Sequence, residues 1–406
     1  SNDMQTADSR LTPFTISRRA RVGVALVLAC SAASISPATV LPEERADVMY
    51  HRYDGGDVTV SGPSVLVRKN VGEKLSIAAN YYTDFVSSAS IDVQTSASPY
   101  DETRNQYSLS ADLLNGKSGY SLGDIRSSEC DYQADTAFFG VSQSLFGDLT
   151  TISFGYRYGD NDIGRNVAGV LDPDFNEQMK TQGFSAGVSQ VLTRNMILAL
   201  NYEVVTDEGF LRSPYRSVRY ITGPTTQALQ SEAYPRTRTS NAAALRGKYF
   251  LPWRAAAELG YRYYRDTWGV RGHTADLGYT HPIGKWTLDG SVRYYRQDRA
   301  DFYRDLYPRR DFANFLSRDK ELATYDNLTL TVGASYDFRI PRMAWIDRSS
   351  ASIRYSFLTV NYDDFRDASQ SLGKFGVLPD EPLAPGTEPL YKLDASVLQI
   401  FFSIWF

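Results

Sequence analysis

Apolar residues recur at every second position along most of the chain. Leu75, Ile77, Ala79 and Tyr81 form one such set, Tyr107, Leu109, Ala111 and Leu113 a second, and Ile152, Phe154, Tyr156 and Tyr158 a third. Leu198, Leu200, Tyr202 and Val204 follow, then the long run Leu328, Leu330, Val332, Ala334, Tyr336 and Phe338. The intervening positions are polar or very small: Ser76, Asn80 and Asp84; Ser153, Gly155 and Arg157; Asn327, Thr329 and Thr331. A period of two is the signature of a strand with one apolar and one hydrated face. The last residues carry the same pattern, with Leu398, Ile400, Phe402, Ile404 and Phe406 on one face. A strand with a continuous apolar side and an aromatic at its end suits the wall of a barrel in lipid, where lipid-facing and lumen-facing residues alternate.

Connections between these strands differ sharply in length. Tight ones fall at Val71 to Lys74, Asn115 to Lys117, Gly147 to Asp148, Thr193 to Arg194, Leu251 to Trp253, Pro282 to Lys285 and Ile340 to Ile346. The alternate connections are expected to be mostly long and polar, the longest at Asp207 to Pro235, Arg299 to Lys320 and Asp363 to Tyr391. A soluble sandwich has no reason to place all its tight turns at one end, whereas outer-membrane barrels have short periplasmic turns and long outer loops. Counted from Asp57, this arrangement yields an odd number of strands. Single-chain bacterial barrels have even numbers, so Ala46 to Asp54, closed by Gly55 and Gly56, is read as a further strand. The expected fold is therefore an all-β transmembrane antiparallel β-barrel of about 16 strands, with about 14 if the first hairpin folds elsewhere.

Composition fits this fold. The 406 residues have a net charge of −4 and contain 28 Tyr. A mean hydropathy of −0.35 is no obstacle, because alternation averages to polar. No basic stripe suggests nucleic acid as a partner. Near the start, Arg18, Arg19 and Arg21 precede the apolar run Val22 to Ala33, closed by Ser36, Pro37 and Ala38. Residues 1–38 thus read as a leader with an export signal, 39–45 as a short periplasmic tail, and 46–406 as the barrel, integral to the outer membrane of a Gram-negative bacterium. After cleavage Cys130 would stand alone, so no internal disulfide is expected.

The hydrated face carries both signs of charge: Arg68, Asp84, Asp112, Arg157, Glu203, Arg246, Lys248, Glu258, Arg262, Asp266, Asp276, Asp289, Arg293, Asp337 and Arg354. Facing lipid near the midplane, a Lys or Arg would cost roughly 2–4 kcal/mol and an Asp or Glu somewhat less. They are therefore expected to line a lumen, either as the wall of a hydrated pore or as ion-pair ladders that close it. An enzyme is not expected. The histidines are His51, His273 and His281, and His51 alone has suggestive neighbours, with a structural hydrogen bond beside Asp54 as its plainer role. No nucleophile elbow or metal-spaced His pair occurs, and nothing implies a cofactor or a resident metal. Asp160, Asn161, Asp162, Asp172 and Asp174 could offer oxygen ligands to Ca²⁺ but lack EF-hand spacing, so they read better as solvated turns. The segment FYRDLYPRRDFANFLSRDK could meet lipopolysaccharide phosphates through its arginines, or could be a solvated loop with its own ion pairs.

The stretches LPEERADVMYHRYDGGDVTVSGPSVLVRKNVGEKLSIAANYYTDFVSSASIDVQTSASPY and CDYQADTAFFGVSQSLFGDLTTISFGYRYGDNDIGR resemble an uncharacterised family of exported proteobacterial proteins, a domain of unknown function that looks like an outer-membrane barrel. The resemblance runs from about Leu41 to Phe406, with Tyr50 to Gly56 its most recognisable tract. It implies location and fold, and no ligand. The expected function is an outer-membrane channel or uptake protein for small polar solutes. The alternative is a non-conducting barrel that anchors an envelope lipoprotein or redox assembly, and behind it stands a barrel hydrolase, which would need His51 within hydrogen-bond reach of a Ser or carboxylate. Expected partners are outer-membrane lipids and lipopolysaccharide, the barrel assembly machinery that would read the last strand, the solute and, in the alternative, the lipoprotein.

Overall fold

The computed structural model describes residues 40–87, 101–167, 170–341, 343–374 and 377–406. The export signal expected over residues 1–38 lies outside them. Sixteen strands close into one antiparallel barrel: β1 (Arg45–Gly55), β2 (Val58–Val71), β3 (Leu75–Ser87), β4 (Asp101–Asn115), β5 (Ser118–Ser128), β6 (Tyr132–Leu145), β7 (Thr150–Ile163), β10 (Glu177–Thr193), β11 (Met196–Gly209), β14 (Thr237–Phe250), β15 (Ala256–Asp266), β16 (Arg271–Ile283), β17 (Trp286–Gln297), β18 (Tyr325–Phe338), β19 (Arg348–Arg366) and β20 (Leu390–Trp405). Two small hairpins, β8 (Asn166–Val167) with β9 (Val170–Leu171) and β12 (Ser217–Gly223) with β13 (Thr226–Ser231), sit in the connections. The strand expected at Ala46 to Asp54 is β1, and it closes the barrel by pairing Arg45 with Trp405 through to Gly55 with Ala395. Closure leaves no unpaired edge, which a wall in hydrocarbon requires.

Burial runs opposite to that of a soluble protein. Leu109, Leu122, Phe154, Leu259, Val332 and Ile400 are exposed on the outer wall, while Ser76, Asn80, Thr274, Asn327 and Gln399 are buried within. Trp253, Trp286 and Trp345 stand exposed near one rim, and Tyr107 and Tyr294 lie toward the other, as interfacial girdles do. The wall thus presents apolar surface to lipid and polar surface to the lumen.

All seven tight turns fall on the rim that carries Arg45 and Trp405, which is the periplasmic rim by the short-turn rule. On the outer rim the expectation of mostly long connections needs adjustment. Three are short: residues 56–57, 129–131 and 267–270. The first is a two-residue hairpin in which Gly56 and Asp57 both have positive φ, 62° and 63°. This turn matches the twist of paired strands and favours Gly and Asp.

The long outer connections do not hang in solvent. Phe210 and Leu211, Ala300 and Tyr303, and Leu322 and Ala323 enter the outer end of the barrel. They pack on inward residues of the wall, among them Tyr53, Val60, Ile163, Met179, Tyr325, Leu358, Val360 and Leu393. One apolar cluster therefore joins strands from β1 to β20 with the loops, where a charged lumen, either hydrated or closed by ion pairs, was expected.

Candidate functional site

Beneath this apolar layer lies a polar cavity of about 360 Å³. It is lined by His51 and Asp84 on one side, Arg246, Lys248 and Glu258 on another, and Asp276, Asp289, Arg293, Arg354 and Gln399 between them. Eight of the charged residues expected on the inner face thus converge on one chamber. Arg68, Asp112, Arg157, Glu203, Arg262 and Asp337 are not among its lining residues. Arg68 meets Asp112 at 2.6 Å and Arg157 meets Glu203 at 2.9 Å, each pair on a separate stretch of wall. Arg262 lies over the Tyr264 ring at 5.5 Å, and Asp337 is exposed at the end of β18. Asp266 binds Arg238 higher up, at 2.8 Å from Nε.

Several pairs reach across an intervening strand, and a glycine makes the crossing possible. His51 on β1 is paired with Gly62 on β2, and its Nε2 lies 2.8 Å from Asp84 Oδ1 on β3. A Cβ at Gly62 would sit 1.8 Å from the Thr83 carbonyl oxygen. Arg354 on β19, Gly333 on β18 and Asp289 on β17 stand in one register row, and Arg354 bonds Asp289 at 3.2 Å over the glycine. A Cβ at Gly333 would lie 2.4 Å from that carboxylate. Gly183 gives Arg157 the same room. These glycines were missed by a reading based on charge alone. Their signal is a Gly on the inward parity of a strand, directly beside an inward Arg or His of a neighbouring strand.

His51 belongs to a buried cluster. Its ring stacks on Tyr82 at 5.1 Å, and the Tyr82 hydroxyl donates to Asp84 Oδ1 at 2.7 Å, with Arg104 at 3.7 Å from the same carboxylate. The partner expected from sequence, Asp54, instead faces outward and meets Arg52 at 3.2 Å. The correction follows from alternation: residues 51 and 54 differ by an odd number and cannot share a face.

Above the chamber the loops are tied by ions. The Arg219 side chain, 0% exposed, bonds Glu388 and Asp305, and Arg318 reaches the same Asp305 at 3.0 Å. One guanidinium on the β12–β13 hairpin thereby joins the connections 298–324 and 367–389. Burial works against its charge, but the two carboxylates outweigh this and raise its pKa. Burial also acts on Glu388, yet hydrogen bonds from Arg219 and Ser371 keep its carboxyl below the usual range. Nearby, Glu232 accepts from the Arg318 amide at 2.8 Å and the Tyr234 hydroxyl at 2.9 Å. Burial, with Asp319 close by, pushes its pKa up to about 7.

The segment weighed as a lipopolysaccharide contact or as a loop with its own ion pairs is partly spent on such pairs among the loops: Asp305, Arg318 and Asp319 bind there, and Arg304 and Arg309 stack on Phe312. The aspartates considered for Ca²⁺ also have other roles. Asp160 to Asp162 belong to β7, and Asp172 holds Arg165 at 2.5 Å. Among the described residues no group of three His, Cys, Asp or Glu side chains is placed to hold a metal ion.

A closed 16-stranded wall with an apolar exterior and a polar interior defines an integral outer-membrane β-barrel of the Gram-negative type. The chain belongs to the family described as protein of unknown function (DUF3570), whose model matches residues 91–382. The tract Tyr50 to Gly56 falls outside that match. No curated protein matches the chain. Among solved structures it is similar to CdiB from Acinetobacter baumannii, at 9% identity and a TM-score of 0.46, covering 89% of this chain and 60% of that one. A bacterial polysaccharide outer membrane secretin shows 7% identity, a TM-score of 0.47, and coverage of 90% and 100%. A FadL homologue from Pseudomonas aeruginosa shows 10% identity, a TM-score of 0.41, and coverage of 91% and 93%.

Proposed function

We propose that the barrel is a gated outer-membrane channel for small polar solutes, closed at its outer mouth by the loop plug. The observation that carries this reading is the chamber of about 360 Å³, lined by charges of both signs beneath the plug. A cavity of that size holds a small molecule rather than a polymer. Arg246, Arg293 and Arg354, alternating with Glu258, Asp276 and Asp289 along one stretch of wall from β14 to β19, would orient a zwitterionic or polyhydroxylated solute. Diffusion through a permanently open lumen does not suit the apolar layer above the chamber, so passage requires the plug to move.

Planar-bilayer recording tests this reading. The native protein should show low, intermittent conductance, and Arg219→Ala should raise the open fraction by removing the ion that joins two loops to the hairpin. A second reading, a non-conducting barrel that anchors an envelope lipoprotein or redox assembly, is favoured by the dryness of the Arg219 junction. Absence of conductance both in the native protein and in a properly folded Arg219→Ala variant would reject the channel in its favour.

A further inference from the structure

On the outer wall, β15 and β16 end in two arginines that face each other. Arg265 and Arg271 are cross-strand partners, both exposed and both on the outward parity shared with Leu259 and Leu277. Like charges placed directly opposite repel. Among the described residues neither guanidinium has a carboxylate within ion-pairing distance; the nearby Asp298 meets Arg271 through a backbone hydrogen bond of 2.9 Å. Elsewhere along the same rim several outward cations are paired: Arg52 with Asp54, Arg126 with Asp124 and Asp135, and Lys392 with Asp394.

The two arginines stand at the top of a mixed surface. His273 is the next outward residue on β16, bonded through Nδ1 to the Tyr261 hydroxyl at 2.7 Å and packed on Tyr263 at 5.1 Å. Arg296 lies opposite His273 on β17, with Asp363 at 3.3 Å. Below them Leu259, Leu277 and Val292 present bare apolar wall. Positive charge therefore sits just above an aromatic girdle, with acyl-compatible surface beneath, on the rim that meets the outer leaflet.

We infer that this face binds the phosphorylated diglucosamine end of a lipopolysaccharide molecule, its phosphate bridging Arg265 and Arg271 and its acyl chains lying along Leu259 and Leu277. The anion removes the repulsion between the arginines. Guanidinium pairs with phosphate bidentately, and two converging forks suit one phosphate group. The outer leaflet, where this face lies, is built of such phosphorylated glycolipid, which selects it over a phospholipid.

The test uses the full barrel purified in a zwitterionic detergent and titrated with lipid A, with dephosphorylated lipid A and with phosphatidylglycerol, following the rise in unfolding temperature. Lipid A should stabilise the native protein and the Arg126→Ser control at the same concentration, and the Arg265→Ser/Arg271→Ser variant should need at least about tenfold more. Arg265→Lys/Arg271→Lys should fall between. Equal titrations for native and doubly substituted protein would overturn the proposal. So would dephosphorylated lipid A or phosphatidylglycerol acting as strongly as lipid A, or a dimer through this face that excludes lipid A. Should the serine variant fail to fold, the three lipids on the native protein decide the question alone.

Discussion

At Gly62 a single missing Cβ lets a histidine on β1 reach a carboxylate on β3. The neighbouring atom is a backbone oxygen at 1.8 Å, which cannot turn aside, whereas the atom facing Gly333 is a side-chain carboxylate at 2.4 Å, which can. Gly62→Ala should therefore cost about 1–3 kcal/mol, and Gly333→Ala less than about 1 kcal/mol, in denaturant unfolding from lipid vesicles. Equal losses would show that the crossings are not limited by space.

Glu232 provides the pH-sensitive contact. Its pKa is raised in the folded plug from an ordinary 4.5 to about 7, so the folded state holds its proton more tightly than the unfolded one. Stabilisation from this group is complete below about pH 4.5 and declines as pH rises, levelling off above about 7. Protection of the amides around Ser317 and Arg318 against hydrogen exchange, taken relative to the intrinsic rate at each pH, should fall across that window. Glu232→Gln should flatten the response, since a neutral amide keeps an acceptor for the Arg318 N–H. Protection factors that are unchanged between pH 5 and 8 in the native protein would remove this role.

At the scale of the element, the seam between β1 and β20 decides whether the sheet is a barrel. Ile400 faces lipid between Tyr50 and Ile353, whereas its neighbour Gln399 faces the lumen beside His51 and Arg354. Ile400→Arg should destabilise the barrel by roughly 2–4 kcal/mol where the site lies near the midplane, and Gln399→Arg by much less. Vesicle unfolding of the two variants measures the difference, and a reversed order would mean that the parity of β20 is wrong. Phe406 contacts the Trp345 ring at 5.9 Å and lies under Lys69 Nζ at 5.0 Å. It therefore packs on the periplasmic rim, in addition to the recognition role proposed for the last strand in assembly.

For the whole molecule, the prediction concerns which ions pass when the plug is loosened. Arg293 lines the chamber opposite Asp276 in the β16–β17 register. Across a constriction narrower than the Debye length of about 8 Å, salt screens such a charge weakly. In an Arg219→Ala background, Arg293→Glu should shift the reversal potential toward cations while leaving thermal unfolding nearly unchanged. A large loss of stability with no change in selectivity would instead place Arg293 in a structural ion pair.

Alternation and turn length are local properties, and they were enough for the strands, the parity of their faces, the closing β1 and the barrel itself. A lipid-facing position cannot be disguised in sequence, because charge there is costly and a one-residue slip would invert the wall. The same parity placed Arg246, Glu258, Asp289 and Arg354 on one side of the wall. Which charges meet was decided only by register and shear: these bring Arg354 over Gly333 to Asp289, and His51 over Gly62 to Asp84 rather than to Asp54. The packing of the loops into the outer end of the barrel was also beyond local reading. Arg219, Asp305 and Glu388 are far apart in the chain, and the loop residues Phe210, Tyr303 and Leu322 carry no periodicity. Their burial depends on a ring of inward apolar side chains that exists only once sixteen strands have closed around them.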